Sequence, residues 1–200
     1  AMIKAVFDEL FRSGRYDILE KWLNMLPDDI KNTDLIIRYF SAKLLYHYNS
    51  EHDAASDIFL ALIKLNEKDT YVNACIEYSD ILLVKGKARE AVKLLENLIK
   101  TEKDTVKYTK ISLELAKAYY GLGAEHYDKI ISVLDKTIKL NDEMNLRDFH
   151  SEIYSRYGRV YQSRGVFSKA LHYFKNVIEL ENNVFKKFQT LTDIVLLHSW

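Results

Sequence analysis

Six histidines, at 47, 52, 126, 150, 172 and 198, are the side chains best suited to hold a metal or move a proton near neutral pH. No two stand four apart on one helical face, and none joins a cysteine or carboxylate set with zinc-ligand spacing. His150-Ser151-Glu152 pairs an imidazole with a carboxylate, but no Pro-Cys-x-x-Cys follows to complete a hydrolytic zinc site. Gly121-Leu122-Gly123 opens like a phosphate-cradling loop. It lacks the third glycine and joins two helical patterns, where such a loop must follow a strand. The single cysteine, Cys75, lies in an apolar helical pattern with no basic neighbour to lower its pKa, and reads as a small buried hydrophobe. No Ser-His-Asp or Cys-His set can be placed. The expectation is a chain that is not an enzyme, with no catalytic residue, no cofactor and no metal. The histidines are expected to face solvent or line a groove.

The totals narrow the field further. Two hundred residues make one ordinary domain or one small repeat array, and a hydrophobic fraction of 48% is enough for a core. One proline and six glycines are too few turn formers for a sandwich or barrel of many short strands. Lys plus Arg equals Asp plus Glu, 29 against 29, with no excess in either half. The basic footprint of a nucleic-acid binder is missing, which counts against an RNA-binding helical repeat, and so is a polybasic membrane-surface segment. No apolar run approaches the ~18 residues of a membrane span. One cysteine allows no intrachain disulfide and fits a reducing cytoplasm, the expected location.

The elements that would position any site are helices. Apolar residues recur at helical spacing almost from end to end, broken by short stretches with Gly, Asn, Asp or Ser. The breaks are periodic: Gly14, Ser50 and Gly86 are 36 residues apart, Gly123 follows after 37 and Gly165 after 42. Five residues past the first three stand Leu19, Ala55 and Ala91, and four further on Leu23, Phe59 and Leu95. Ala170 and Phe174 repeat this order, as do Ile130 and Leu134 after two extra residues. The helix before each turn carries a small residue followed, three positions on, by a bulky one: Ser79 and Leu82, Ala116 and Tyr119, Gly158 and Tyr161. A small residue at a helix crossing lets two axes approach while its large neighbours fill the groove. One such pair cannot bury its apolar face alone, whereas stacked pairs share a continuous core. The fold class is therefore all-α, a helix-turn-helix repeat solenoid of about eleven helices. The expected layout is opening helices at 1–32, repeats at 33–70, 71–106, 107–146 and 147–183, and a terminal or truncated helix at 184–200.

Residues 151–183 resemble a tetratricopeptide repeat (TPR): Tyr154, Tyr157-Gly158, Tyr161, Ala170 and Phe174 match its pattern, with Asn182 where the proline would stand. Earlier units depart from it. Lys43 occupies the small-residue site of 34–66, and Ile130 replaces the alanine of 109–142. The resemblance implies a TPR-like right-handed superhelix whose concave groove is lined by the first helix of each pair.

A narrower resemblance covers 11–49. Gly14-Arg15, Trp22-Leu23 and Leu26-Pro27 are similar, in order, to the start of the helical-repeat sensor region of maltose-activator (LuxR-type) bacterial transcription activators. That resemblance implies signal sensing in transcription regulation. The chain would be a fragment of a larger regulator, since it has no phosphate-binding loop and no DNA-reading helix pair. Trp22, Leu23 and Leu26 are expected to pack, Pro27 to stop their helix, and Asp28, Asp29 or Asp34 to cap the next. Phe188, Leu191, Thr192 and Val195 sit at packing positions of a further unit, leaving an apolar tail that runs to Trp200.

Phasing on the small-residue sites turns Phe40, Leu44, His47 and Tyr48 toward the groove, then Ile76 and Asp80, then Lys110, Lys117 and Tyr120, and last Arg159 and Gln162, with Glu152 and Ser155 on the same face. The expected partner is a protein, a peptide or a small-molecule inducer, with no nucleic acid and no membrane. The function is expected to be that of a regulatory interaction domain. The alternative is a free-standing adaptor that binds a peptide or helix of a partner protein.

Overall fold

A computed structural model describes the backbone from residue 2 to residue 198, and the side chains of these except 2, 3, 12, 68, 69, 197 and 198. The tail position Trp200 lies outside the described residues. Twelve α-helices and two 3-10 turns make up the described chain, without a strand. They are α1 (Met2–Arg12), α2 (Tyr16–Met25), α3 (Asp28–Thr33), α4 (Leu35–His47), α5 (His52–Leu65), α6 (Lys68–Val84), α7 (Ala88–Thr101), α8 (Thr105–Leu122), α9 (Tyr127–Glu143), α10 (His150–Ser163), α11 (Phe167–Leu180) and α12 (Val184–His198). The helix beyond the expected eleven is accounted for by α3: six residues long, it buries none of them, so apolar periodicity does not mark it.

The chain divides into two compact units, residues 1–85 and 86–200. In the first, α4 packs on α5 and α5 on α6, and α4 also meets α6 directly. In the second, each helix from α7 to α12 packs on the next, and α8 also meets α10. Contact between alternate helices is what builds a layered repeat, because each first helix then shares its apolar side with the first helix of the following pair.

The repeat phasing read from the sequence holds residue by residue. All five turn positions take left-handed backbone: φ is 71° at Gly14, 59° at Ser50, 73° at Gly86, 113° at Gly123 and 71° at Gly165. Ser50 alone among them carries a side chain into that region, which favours glycine. The positions after the turns, from Leu19 and Leu23 to Ala170 and Phe174, are all buried. The two extra residues after Gly123 are taken up by a 3-10 turn, Ala124–His126, so Ile130 and Leu134 still reach the core.

Gly158 shows why the small-residue site matters. A Cβ added there would lie 2.4 Å from Cε1 of Phe174, whose ring is fully buried. Tyr157 and Tyr161 stack on Tyr173 beside it, at 4.7 and 5.6 Å between ring centroids. The Tyr157 hydroxyl donates to the Asp135 carboxylate; burial first, and then that bond, raise the pKa of the phenol.

The segment around the only proline is settled in part as expected. Helix α2 stops at Met25, Leu26 is extended, and Pro27 opens α3 with φ −58°. Asp34 is the capping residue: its Oδ1 accepts from the backbone N–H of Ile36 (2.9 Å) and Ile37 (3.0 Å) at the start of α4. Leu23 is buried and Leu26 packs against the core of the first unit. Trp22 does not pack: it is 46% exposed, because the buried face of α2 is the one carrying Leu19 and Leu23, four residues apart.

Candidate functional site: the inner helices of each unit

In residues 1–85 the expected groove residues separate into two groups. Phe40 (1% exposed) and Leu44 lie in the hydrophobic core, Phe40 with its ring 4.8 Å from that of Phe7 on α1. They are buried packing residues of the core that Phe7, Leu19 and Leu23 also join. Tyr48 is exposed with its ring 5.5 Å from Tyr16, and Ile76 and Asp80 are half-buried on α6.

His47 is exposed and belongs to a polar cluster. Tyr39, Lys43 and His47 stand four apart along α4, so they share one face, and all three reach Glu77 of α6. The Tyr39 hydroxyl donates to Oε1 at 3.2 Å, Lys43 Nζ lies 3.2 Å from Oε1, and His47 Nε2 lies 2.9 Å from Oε2. Lys43 Nζ also sits 4.1 Å above the ring of Phe11. Burial alone would raise the Glu77 pKa. The hydrogen bond to His47 and the charge of Lys43 outweigh that and hold the carboxyl below its ordinary 4.5. Burial, and then the neighbouring Glu77 charge, push the Tyr39 phenol well up. The cluster also explains Lys43: the lysine at the small-residue site spans the gap with its stem and ends on a buried acid.

Cys75 is fully buried, and burial pushes its thiol up to about 11 even though the Tyr71 hydroxyl partly opposes the shift. This is the inert thiol expected from the sequence. His150 departs from the expected solvent or groove position. It is buried at the start of α10, with Nε2 3.2 Å from Asp142.

In residues 86–200 the inner helices are α8, α10 and α12, and two cavities open on them. One of about 140 Å³ is walled by Lys117 and Tyr120 of α8 and by Arg156 and Arg159 of α10, over a floor of Ala116, Ile130 and Val160. The other, of about 240 Å³, lies among α10, α11 and α12 and shares Arg156 and Arg159 with the first. Lys117, Tyr120 and Arg159 are thus brought together as the sequence phasing placed them. Lys110 and Gln162 line neither cavity, Lys110 exposed and Gln162 half-buried.

The two cavities differ in charge. The larger sets Arg156, Arg159 and Lys186 against Glu152, Glu181 and Asp193. Burial would raise Glu181, but the backbone N–H of Asn183 and the Ser151 hydroxyl, 2.8 Å away, hold it low. Burial pushes Asp193 up, with Arg159 opposing. The smaller cavity has three cations and no acid in its lining. Arg156 was missed in the sequence although it lies four residues after Glu152, on the same helical face. Lys186, Gln189 and Asp193 were missed because α12 was read only for its packing positions.

No family model matches the chain, and no curated protein matches it. Solved structures do. A single-substitution variant of a Podosopora anserina kinesin light chain protein with nearly identical TPR-like repeats superposes with a TM-score of 0.63 at 16% identity, covering 88% of this chain and 92% of that one. The RS-1 ArsTM double mutant of MamA does so with a TM-score of 0.58 at 18% identity, covering 90% and 92%. The fold is TPR-like. At these identities the likeness is one of architecture, and within it Gly158 against Phe174 is the small-to-aromatic crossing of a TPR-like pair. Among the described residues no group of three or more His, Cys, Asp or Glu is placed to hold a metal ion, and no helix is long and apolar enough to cross a membrane.

Proposed function

We propose that the protein is a non-catalytic adaptor whose 86–200 unit holds a segment of a partner protein against α8, α10 and α12. One observation carries this reading. The two cavities, about 140 and 240 Å³, share Arg156 and Arg159 and so form neighbouring subsites on one helical face. Each is smaller than the roughly 300–1,000 Å³ of pockets that enclose a drug-sized ligand. Small linked pockets fit successive side chains of a polypeptide better than one compact inducer. The TPR-like fold supports the same choice, since stacked first helices present an extended face.

The sensor of a bacterial activator is the other reading, and it rests on Gly14-Arg15, Trp22-Leu23 and Leu26-Pro27 alone. Neither solved structure above is such an activator, so the adaptor is preferred. The buried free thiol of Cys75 is compatible with a cytoplasmic setting. The test is selection of a displayed random-peptide library on the full chain, followed by titration of labelled winners. Winners whose binding falls when Arg156 and Gln189 are both changed to alanine support the adaptor. A library that yields no binder overturns it.

A further inference from the structure

We infer that the outward face of α12 is a dimer interface, on which the same helix of a second copy of this chain packs antiparallel. This goes beyond the adaptor reading and does not rest on it. Val184, Phe185, Phe188, Leu191, Thr192 and Val195 recur at helical spacing and form one stripe along α12. Its five large apolar side chains are between 48% and 81% exposed. Lys186, Gln189, Thr190, Asp193 and Ile194 fall outside the stripe: the first four line the larger cavity, and Ile194 packs against Ala170 and Phe174 of α11. Helix α12 thus turns polar side chains toward its own unit and an uncharged, apolar stripe away from it. A contiguous exposed apolar patch of this kind marks a contact surface.

The stripe matches one that already binds a helix in this chain. Tyr154, Tyr157, Gly158 and Tyr161 of α10 stand 34 residues before Phe188, Leu191, Thr192 and Val195. On α10 that face is covered by α11: Tyr157 and Tyr161 stack on Tyr173, and Gly158 lies against Phe174. On α12 the same positions are exposed. A second α12 suits them. The helix runs Val184–His198, so its midpoint is Leu191. A two-fold axis passing between Leu191 and Thr192 sets Phe188 of each copy against Val195 of the other, and Leu191 against Thr192, large against small in each layer. The Thr192 hydroxyl already donates to the Phe188 carbonyl at 3.1 Å, so covering it strands no donor. Parallel pairing would bring Lys187 beside its own copy and align the two helix dipoles, and antiparallel pairing avoids both. The five side chains offer on the order of 600 Å² per copy, so two copies bury about 1,200 Å², above the ~1,000 Å² that a specific interface needs.

Sedimentation equilibrium of the whole chain between about 1 and 100 µM should return twice the 23.5 kDa of one chain. Phe188→Glu and Val195→Lys, both at exposed positions, should each raise the dissociation constant about a hundredfold or more, because each buries an unpaired charge. Mixed in equal amounts, the two variants should associate at least about tenfold more tightly than either alone, since the introduced carboxylate then faces the introduced ammonium. Met25→Glu, a charge placed on an exposed apolar residue of α2, should change dimerisation by less than about twofold. Melting curves of the three variants establish that they fold. A monomer across the whole range overturns the interface and leaves the stripe to a different partner. A dimer indifferent to Phe188→Glu, a dimer dissociated equally by Met25→Glu, or a mixture that gains nothing also overturns it. None of these outcomes bears on the adaptor reading, which the peptide library tests separately.

Discussion

The inner helices of the two units use charge in opposite ways. In residues 1–85, Glu77 is a nearly buried acid that gathers Tyr39, Lys43 and His47 from one face of α4. Phe11 packs beneath Lys43, and only His47, at the end of the cluster, stays exposed. In residues 86–200, Lys117, Arg156 and Arg159 ring a cavity that no carboxylate enters. The same repeat geometry produces both results, and the small-residue site goes with the difference. Where it holds Lys43, a long side chain crosses between α4 and α6 and meets an acid. Where it holds Ala116 or Gly158, nothing bridges from that position, and cationic neighbours stand around open space. Removing one partner of a buried pair is costly, whereas the cations at the cavity still face open space, although Lys117 and Arg156 are paired from outside its lining with Glu114 and Glu152.

Four substitutions test that contrast, in falling order of effect. Glu77→Gln should cost about 3 kcal/mol, because it leaves Lys43 and His47 facing an amide in a largely buried setting. The wild-type protein should also show a pH signature. The folded Glu77 pKa is depressed, so its contribution is present above the unfolded value of 4.5 and is lost as pH falls through the lower folded value. Melting temperature measured from neutral pH downward should therefore drop more steeply below about pH 4.5 in wild type than in Glu77→Gln. Parallel curves would remove Glu77 as the pairing group. Gly158→Ala should cost about 1–3 kcal/mol in denaturant titration, since the new Cβ would lie 2.4 Å from a fully buried ring that must then shift. Ser50→Gly should instead stabilise by about 0.5–1 kcal/mol, relieving a serine held at φ 59°. Arg159→Ala should shift stability by no more than about 0.5 kcal/mol while weakening peptide binding. If Arg159→Ala destabilises as much as Glu77→Gln, the contrast between the paired cluster and the open cavity is wrong.

Much of this architecture was legible in the chain. Spacing alone placed the five left-handed turns, the residues buried after them and the small-to-large crossings, because helix periodicity and turn chemistry are local properties. Phasing also put Lys117, Tyr120 and Arg159 on one face, and the structure sets them around one cavity. Phe40 and Leu44 instead lie buried in the core, and His47, exposed as expected, also meets Glu77 thirty residues away, a partner that phasing does not reveal. A helical phase gives direction and says nothing of what lies opposite. Helix α3 was missed because it buries no residue, and Trp22, expected to pack, is exposed because the buried face of α2 carries Leu19 and Leu23.

The sequence by itself determined the repeat: where each helix ends, which of its faces is apolar, and where two helices can approach closely. These follow from backbone conformation and the 3.6-residue period, which act over a few residues. Only the tertiary structure decided which charges are satisfied within the protein and which remain at a surface. That depends on the distance between side chains from helices tens of residues apart, and electrostatic pairing is set by that distance and by burial.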